Sequence, residues 1–154
     1  MFSKSCEYGL QAIIYIALNA SENKKVGLKE IAEQQEIPTQ YLSKILQQLV
    51  KHKILDSMKG PNGGFFLKKN PEKLTLLEVV TIIDGTDLFD QCGIGLKKCT
   101  DKNPCPIHHE YKLVKAQIKK IFEEKSISQL CNDIHEGKSI LNFNSSNQLS
   151  LARH

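Results

Sequence analysis

Residues 28–67 read LKEIAEQQEIPTQYLSKILQQLVKHKILDSMKGPNGGFFL, and two breaks inside this run decide the fold. The first is Ile37-Pro38: a residue that precedes proline avoids the α region, so the helix begun at Leu28 must end there. Gly27 can cap this first helix, which turns Leu28, Ile31 and Ala32 inward. Thr39 then opens another helix to about His52, with Leu42, Ile45, Leu46, Leu49 and Val50 as its buried stripe. The second break is Gly-Pro-Asn-Gly-Gly at 60–64, a glycine-rich turn between two short strands, Ile54–Met58 and Phe65–Lys68. Two helices around a tight turn, followed by a hairpin, make a winged helix-turn-helix.

The outer face of the second helix carries Thr39, Gln40, Ser43, Lys44, Gln47, Gln48 and Lys51, groups suited to base edges and phosphates, with Tyr41 as either core or contact. Such a face alone is equally well read as ordinary solvated surface. The hairpin tips the balance toward DNA. Lys59 stands at its tip beside Gly60, Asn62 and Gly63, and a long cation on a thin loop fits a minor groove. A phosphate-binding loop would need a Gly-Lys-Ser/Thr ending, and none follows. Charge is distributed to match. Residues 44–73 hold seven lysines against Asp56 and Glu72, within a chain of formal net charge +4, whereas residues 74–106 are slightly acidic.

Upstream, Ser5 to Asn19 reads as an amphipathic helix through Leu10, Ile13, Ile14, Ala17 and Leu18; Glu7 and Gln11 interrupt it, which argues against an export signal. No run reaches the ~18 continuous apolar residues of a membrane span. Downstream, Thr75 caps a fourth helix, LLEVVTIID. The expected fold is therefore mainly α with a small β-hairpin wing.

Beyond it lies DQCGIGLKKCTDKNPCPIHHEY, residues 90–111, with Cys92, Cys99, Cys105, His108 and His109. Five cysteines without an export signal point to a reducing, cytoplasmic setting, where clustered thiols more often bind metal than form structural disulfides. The residue types leave three chemistries open: an iron–sulfur cluster, a tetrahedral zinc site and a disulfide switch. Zinc lacks its usual Cys-x2–4-Cys knuckle here. Pro106 fits a first helical position, which would make Cys105 the N-cap of the following helix and lower its pKa through the helix dipole. In that helix Ile107, Tyr111, Val114, Ile118 and Ile121 are spaced 4-3-4-3, a heptad seam that predicts a homodimer. SISQL reads as a short terminal helix, and the Asn/Ser-rich tail is expected to be disordered. Cys6 and Cys131 read as buried apolar residues; His52, His135 and His154 read as surface residues.

These features together resemble the Rrf2 family of bacterial transcription regulators, which includes iron–sulfur and nitric-oxide sensors. The matching stretches are YGLQAIIYIAL, LKEIAEQQEIPTQYLSKILQQLVKHKIL, KGPNGGFFL, LTLLEVV and the loop from Cys92 to His108, over about residues 1–135. The resemblance implies a dimeric repressor or activator that binds a double-stranded DNA operator and is tuned by an iron–sulfur cluster. It implies Cys92, Cys99 and Cys105 as ligands. For the fourth ligand it offers His108, which favours a two-iron cluster. The alternative is Glu7, supplied from the partner subunit in some relatives and compatible with four irons. His109 is a further fallback. The family often has Arg where Lys59 stands, and some members have Glu in place of Ser43, so operator sequence does not carry over. The expected division is 1–88 for the DNA-binding domain, 89–107 for the cluster loop, 108–135 for the dimerisation and terminal helices, and 136–154 for the tail. The alternatives are a zinc- or thiol-switched regulator and a metal or redox module that binds no DNA. An enzyme is not indicated, because no nucleophile–base constellation is visible.

Overall fold

Ser3 starts the first helix. Its hydroxyl accepts from the Cys6 N–H at 3.0 Å, and its own N–H and hydroxyl both donate to Asp84. The computed structural model describes residues 1–141; residues 142–154, most of the tail expected to be disordered and His154 with it, lie outside the described residues. The order is α1 (Lys4–Asn19), α2 (Leu28–Gln34), α3 (Thr39–Lys51), β1 (Leu55–Met58), β2 (Gly64–Leu67), α4 (Leu76–Asp84), α5 (Asp87–Asp90), α6 (His108–Glu124) and α7 (Ile127–His135). Gly27 caps α2 and Thr75 caps α4, as the sequence predicts.

The main core forms where α1 lays Ala12, Ile13 and Ile16 against Leu42, Leu46 and Leu49 of α3, Val79 of α4 and Ile127 of α7. Leu46 is wholly buried there. Leu46→Ala is expected to cost about 2–5 kcal/mol, because lost transfer energy and an unfilled cavity add; urea unfolding at fixed protein concentration measures it. Cys131 is buried in this core as expected, and Cys6 is buried in a second, smaller one.

The wing is antiparallel, with Leu55 opposite Leu67 and Met58 opposite Gly64. It lies one residue earlier than expected on the return strand. The Lys68 and Lys69 N–H groups both turn to the Ile54 carbonyl and end the ladder. Val26 adds a third edge by exchanging two hydrogen bonds with Phe65 at 3.0 and 2.7 Å. Gly64 is required at this edge. Its φ is +146°, and a Cβ would lie 2.7 Å from the Val26 backbone.

Two expectations about α6 are corrected. Cys105 is not its N-cap: α6 begins at His108, with Ile107 in the cap position. The His108 N–H bonds back to the Cys105 carbonyl at 3.1 Å, closing a turn around Pro106 and Ile107. Proline is as well suited to the second position of such a turn as to the first position of a helix. The heptad seam is also shared lengthwise. Ile118, with Phe122, packs against the smaller core of Cys6, Val80 and Phe89. Leu113, Val114 and Ile121 remain in solvent, Val114 and Ile121 at 49% and 54% exposure. No helix is long and apolar enough to cross a membrane, among the described residues.

Candidate metal centre and nucleic-acid interface

The loop between α5 and α6 folds back on itself and brings its three thiols together. Phe89, in α5, is buried and anchors the chain three residues before Cys92. Gly93 lies flat on the Tyr111 ring, where a Cβ would approach to 2.9 Å. The sulfurs of Cys92, Cys99 and Cys105 all fall within 4.8 Å of one another, and Cys92 Sγ is 3.6 Å from Cys105 Sγ. The Cys105 N–H donates to Cys99 Sγ at 3.3 Å. His108 Nδ1 stands 3.1 Å from the same Cys99 sulfur, so the first turn of α6 carries a nitrogen to the edge of the trio. All five cysteines are free thiols.

Electrostatics distinguishes the thiols. Backbone N–H groups of Ile94 and then Leu96 point at Cys92 and bring it down to about 7. Burial holds Cys105 above the usual thiol range. Loop amides thus lower the Cys92 thiol, while Cys105 sits in a turn rather than at a helix end.

His108 is fixed from its far side. Its Nε2 lies 2.8 Å from Asp101 Oδ1, and Lys112 Nζ donates to both Asp101 oxygens at 2.9 and 2.8 Å. These bonds, first from Lys112 and then from His108, hold the Asp101 carboxyl down to about 2. A cleft of about 480 Å³ opens beside Cys92, Cys105 and His108, walled by Phe89, Tyr111 and Lys119. His109 is exposed and meets the His108 ring edge-on at 5.2 Å between centroids. Glu7 is not brought to the trio by this chain: it pairs with Lys4 at 3.3 Å on the first turns of α1.

The donor set fits both candidate groups by its chemistry. Thiolates and imidazole are the ligands of iron–sulfur clusters and of tetrahedral zinc, and here one low-pKa thiol, two further thiols and an oriented imidazole converge.

The second surface lies on α3 and the wing. Thr39, Gln40, Lys44 and Gln47 are exposed, and Tyr41 is 52% exposed, which places it on the outer face of α3 rather than in the core. Ser43 is half-buried and accepts from Gln47 Nε2 at 3.4 Å. Gln48 is withdrawn from this face: its Nε2 donates to the Ile82 carbonyl of α4 at 2.9 Å. At the wing tip the Gly63 N–H closes a turn onto the Gly60 carbonyl at 2.9 Å, leaving Lys59, Gly60 and Asn62 exposed.

A sequence profile described as "Rrf2: Iron-dependent Transcriptional regulator" matches residues 2–133. The chain belongs to the Rrf2 family. An HTH-type transcriptional regulator of Aquifex aeolicus (strain VF5) is 34% identical over 134 residues, covering 86% of this chain and 92% of the relative. IscR of Yersinia pseudotuberculosis serotype O:1b, an HTH-type transcriptional regulator, is 27% identical over 126 residues, or 82% of this chain and 76% of that one. Among solved structures, IscR of T. potens superposes with a TM-score of 0.71 at 23% identity, covering 91% of this chain and 92% of its own. CymR of B. subtilis, the global cysteine regulator, superposes with 0.70 at 19%, covering 86% and 96%. These likenesses establish the Rrf2 winged-helix fold. Rrf2 members are transcriptional regulators, not enzymes, and so is this chain.

Asp101 and Lys112 are the site residues that the sequence did not disclose. A loop carboxylate follows no period, and the spacing of His108 and Lys112, one helical turn apart, takes on meaning only once the loop is seen to pass between them.

Proposed function

We propose that this Rrf2 protein is a homodimeric, cytoplasmic transcription regulator that binds operator DNA through α3 and the wing. Its affinity for DNA is set by an iron–sulfur cluster held by Cys92, Cys99, Cys105 and His108. The observation that carries the reading is the convergence of three thiols and His108 Nδ1 at the foot of α6. The family description as iron-dependent and the relatives named IscR support it. When bound, such a group supplies a centre that responds to iron supply, redox state or nitric oxide. A histidine ligand favours two irons; Glu7 from a partner subunit, in its place, would be compatible with four. The chain's own residues do the rest. The thiolates bind, and the imidazole completes the set. Thr39, Gln40, Tyr41, Ser43, Lys44 and Gln47 face the major groove, while Lys59, Gly60, Asn62 and Gly63 present the wing. The exposed edge of α6, Leu113, Val114 and Ile121, meets a second copy.

One observation favours a second reading. Sulfurs within 4.8 Å of one another suit a single tetrahedral ion, whose Zn–S bonds are about 2.3 Å. Anaerobic purification followed by iron, zinc and sulfide counts separates the two. Equal iron and sulfide support a cluster, and zinc without sulfide overturns it. Duplexes selected from a random pool, with and without the bound group, test the regulator reading; retention of none overturns it. Lys59→Ala is expected to weaken binding to a selected duplex and to lower the salt slope by about 0.9, the release from one phosphate. An unchanged slope removes Lys59 from the interface.

A further inference from the structure

Asp101 lies in the loop between Cys99 and Cys105, yet its carboxylate is gripped by α6 from two positions one turn apart, His108 and Lys112. A carboxylate at this spacing can only accept, so the proton of the imidazole must sit on Nε2. In the neutral ring the lone pair then belongs to Nδ1, the atom that faces Cys99 at 3.1 Å. Lys112 matters because it holds both oxygens of the exposed Asp101 carboxylate and keeps it facing the ring. From this geometry we infer that Asp101 is the positioning residue of the metal site: by accepting the Nε2 proton it fixes the ring and makes Nδ1 the ligand atom.

The inference rests on the proposed metal site and deepens it. An imidazole with no partner can rotate about its Cβ–Cγ bond and offer either nitrogen. Outer partners of this kind fix the tautomer and orientation, and their loss weakens metal affinity by about 10–100-fold. A loop salt bridge that merely tethered residues 99–105 to α6 would also weaken binding, so affinity alone does not decide the matter. The identity of the ligating nitrogen does.

The test uses Co(II) added to the full-length apo protein, with paramagnetic proton NMR of the bound form. With Nδ1 bound, the ring Cδ2 proton is distant from the ion and sharp, as is the exchangeable Nε2 proton. With Nε2 bound, both ring carbon protons lie next to the ion and are broad. The native protein is expected to show the sharp pair. Asp101→Ala is expected to lose it and to bind Co(II) about 10–100-fold more weakly. Asp101→Asn, whose amide oxygen still accepts from Nε2, is expected to keep the sharp pair and recover much of the affinity. A sharp Nδ1-type signature that persists in Asp101→Ala overturns the inference, whatever the affinity. Native protein that takes up neither Co(II) nor iron overturns the metal site itself, and the inference with it. Native protein that binds Co(II) with no imidazole signal at all removes His108 but leaves the three thiols standing.

Discussion

Cys99→Ser protein, isolated without oxygen, is expected to be colourless and to contain neither iron nor sulfide above background. Cys99 is the thiol that joins Cys105 to the histidine: its sulfur accepts from the Cys105 N–H and stands against His108 Nδ1. A serine hydroxyl keeps the size and can keep both hydrogen bonds. What it loses is the soft, readily ionised donor that iron–sulfur clusters and zinc require. The loop lies outside both apolar cores, so helical content should not change and circular dichroism serves as the control. Full iron and sulfide in this variant would exclude the trio as the binding site.

The second large effect is expected at the exposed edge of α6. Val114→Asp combined with Ile121→Asp should convert a dimer to monomers, raising its dissociation constant on the order of a thousandfold or more, since each polar group forced into a dry interface unpaired costs about 2–7 kcal/mol. The position of these side chains makes the result interpretable. Both stand in water on the single chain, so the protomer itself has nothing to lose, and any change in assembly reports the partner surface. Ile118, although part of the same heptad, is the wrong residue to change: it packs against the smaller core, and a charge there would damage the protomer. Sedimentation distinguishes the outcomes, and DNA affinity should fall in step, since paired recognition helices read two half-sites. A double variant that still sediments as a dimer would place the interface elsewhere.

The helices and the wing were legible because local rules fix them. Pro38 forbids one continuous helix and caps α3, although α2 already ends at Gln34, ahead of a left-handed Glu36, and the glycines after Lys59 must turn the chain. The three loop cysteines were legible as one candidate site because Cys92, Cys99 and Cys105 lie so close together in the chain. What failed failed for want of tertiary information. Pro106 suits a helix start and a turn equally; the choice was made by the Cys105 carbonyl, which accepts from His108 and leaves α6 to begin later. Periodicity placed Gln48 on the outward face of α3, but it cannot see the Ile82 carbonyl that α4 brings within 2.9 Å. It likewise found one seam on α6 where the fold packs Ile118 inward and leaves Val114 and Ile121 in solvent, because a repeat states which residues line up and not what they meet. Asp101 gave no sign at all, since its significance depends on a loop path.

Among the described residues the smaller core has three buried members, Cys6, Val80 and Phe89. Around them gather Phe2 and Phe122, whose rings lie 4.9 Å apart and tie the start of the chain to α6. Leu10 and Ile83 border this knot and the main core alike. Cys92 hangs from it by three residues, through Phe89. Any pull on Cys92 is therefore felt first in this small core and only afterwards, through α1 and α4, in the larger block beneath α3. Small packed units yield at lower free energy than large ones. The helices of the larger core can keep their packing while the smaller one gives, as a camera keeps its focus when only the tripod head is loosened.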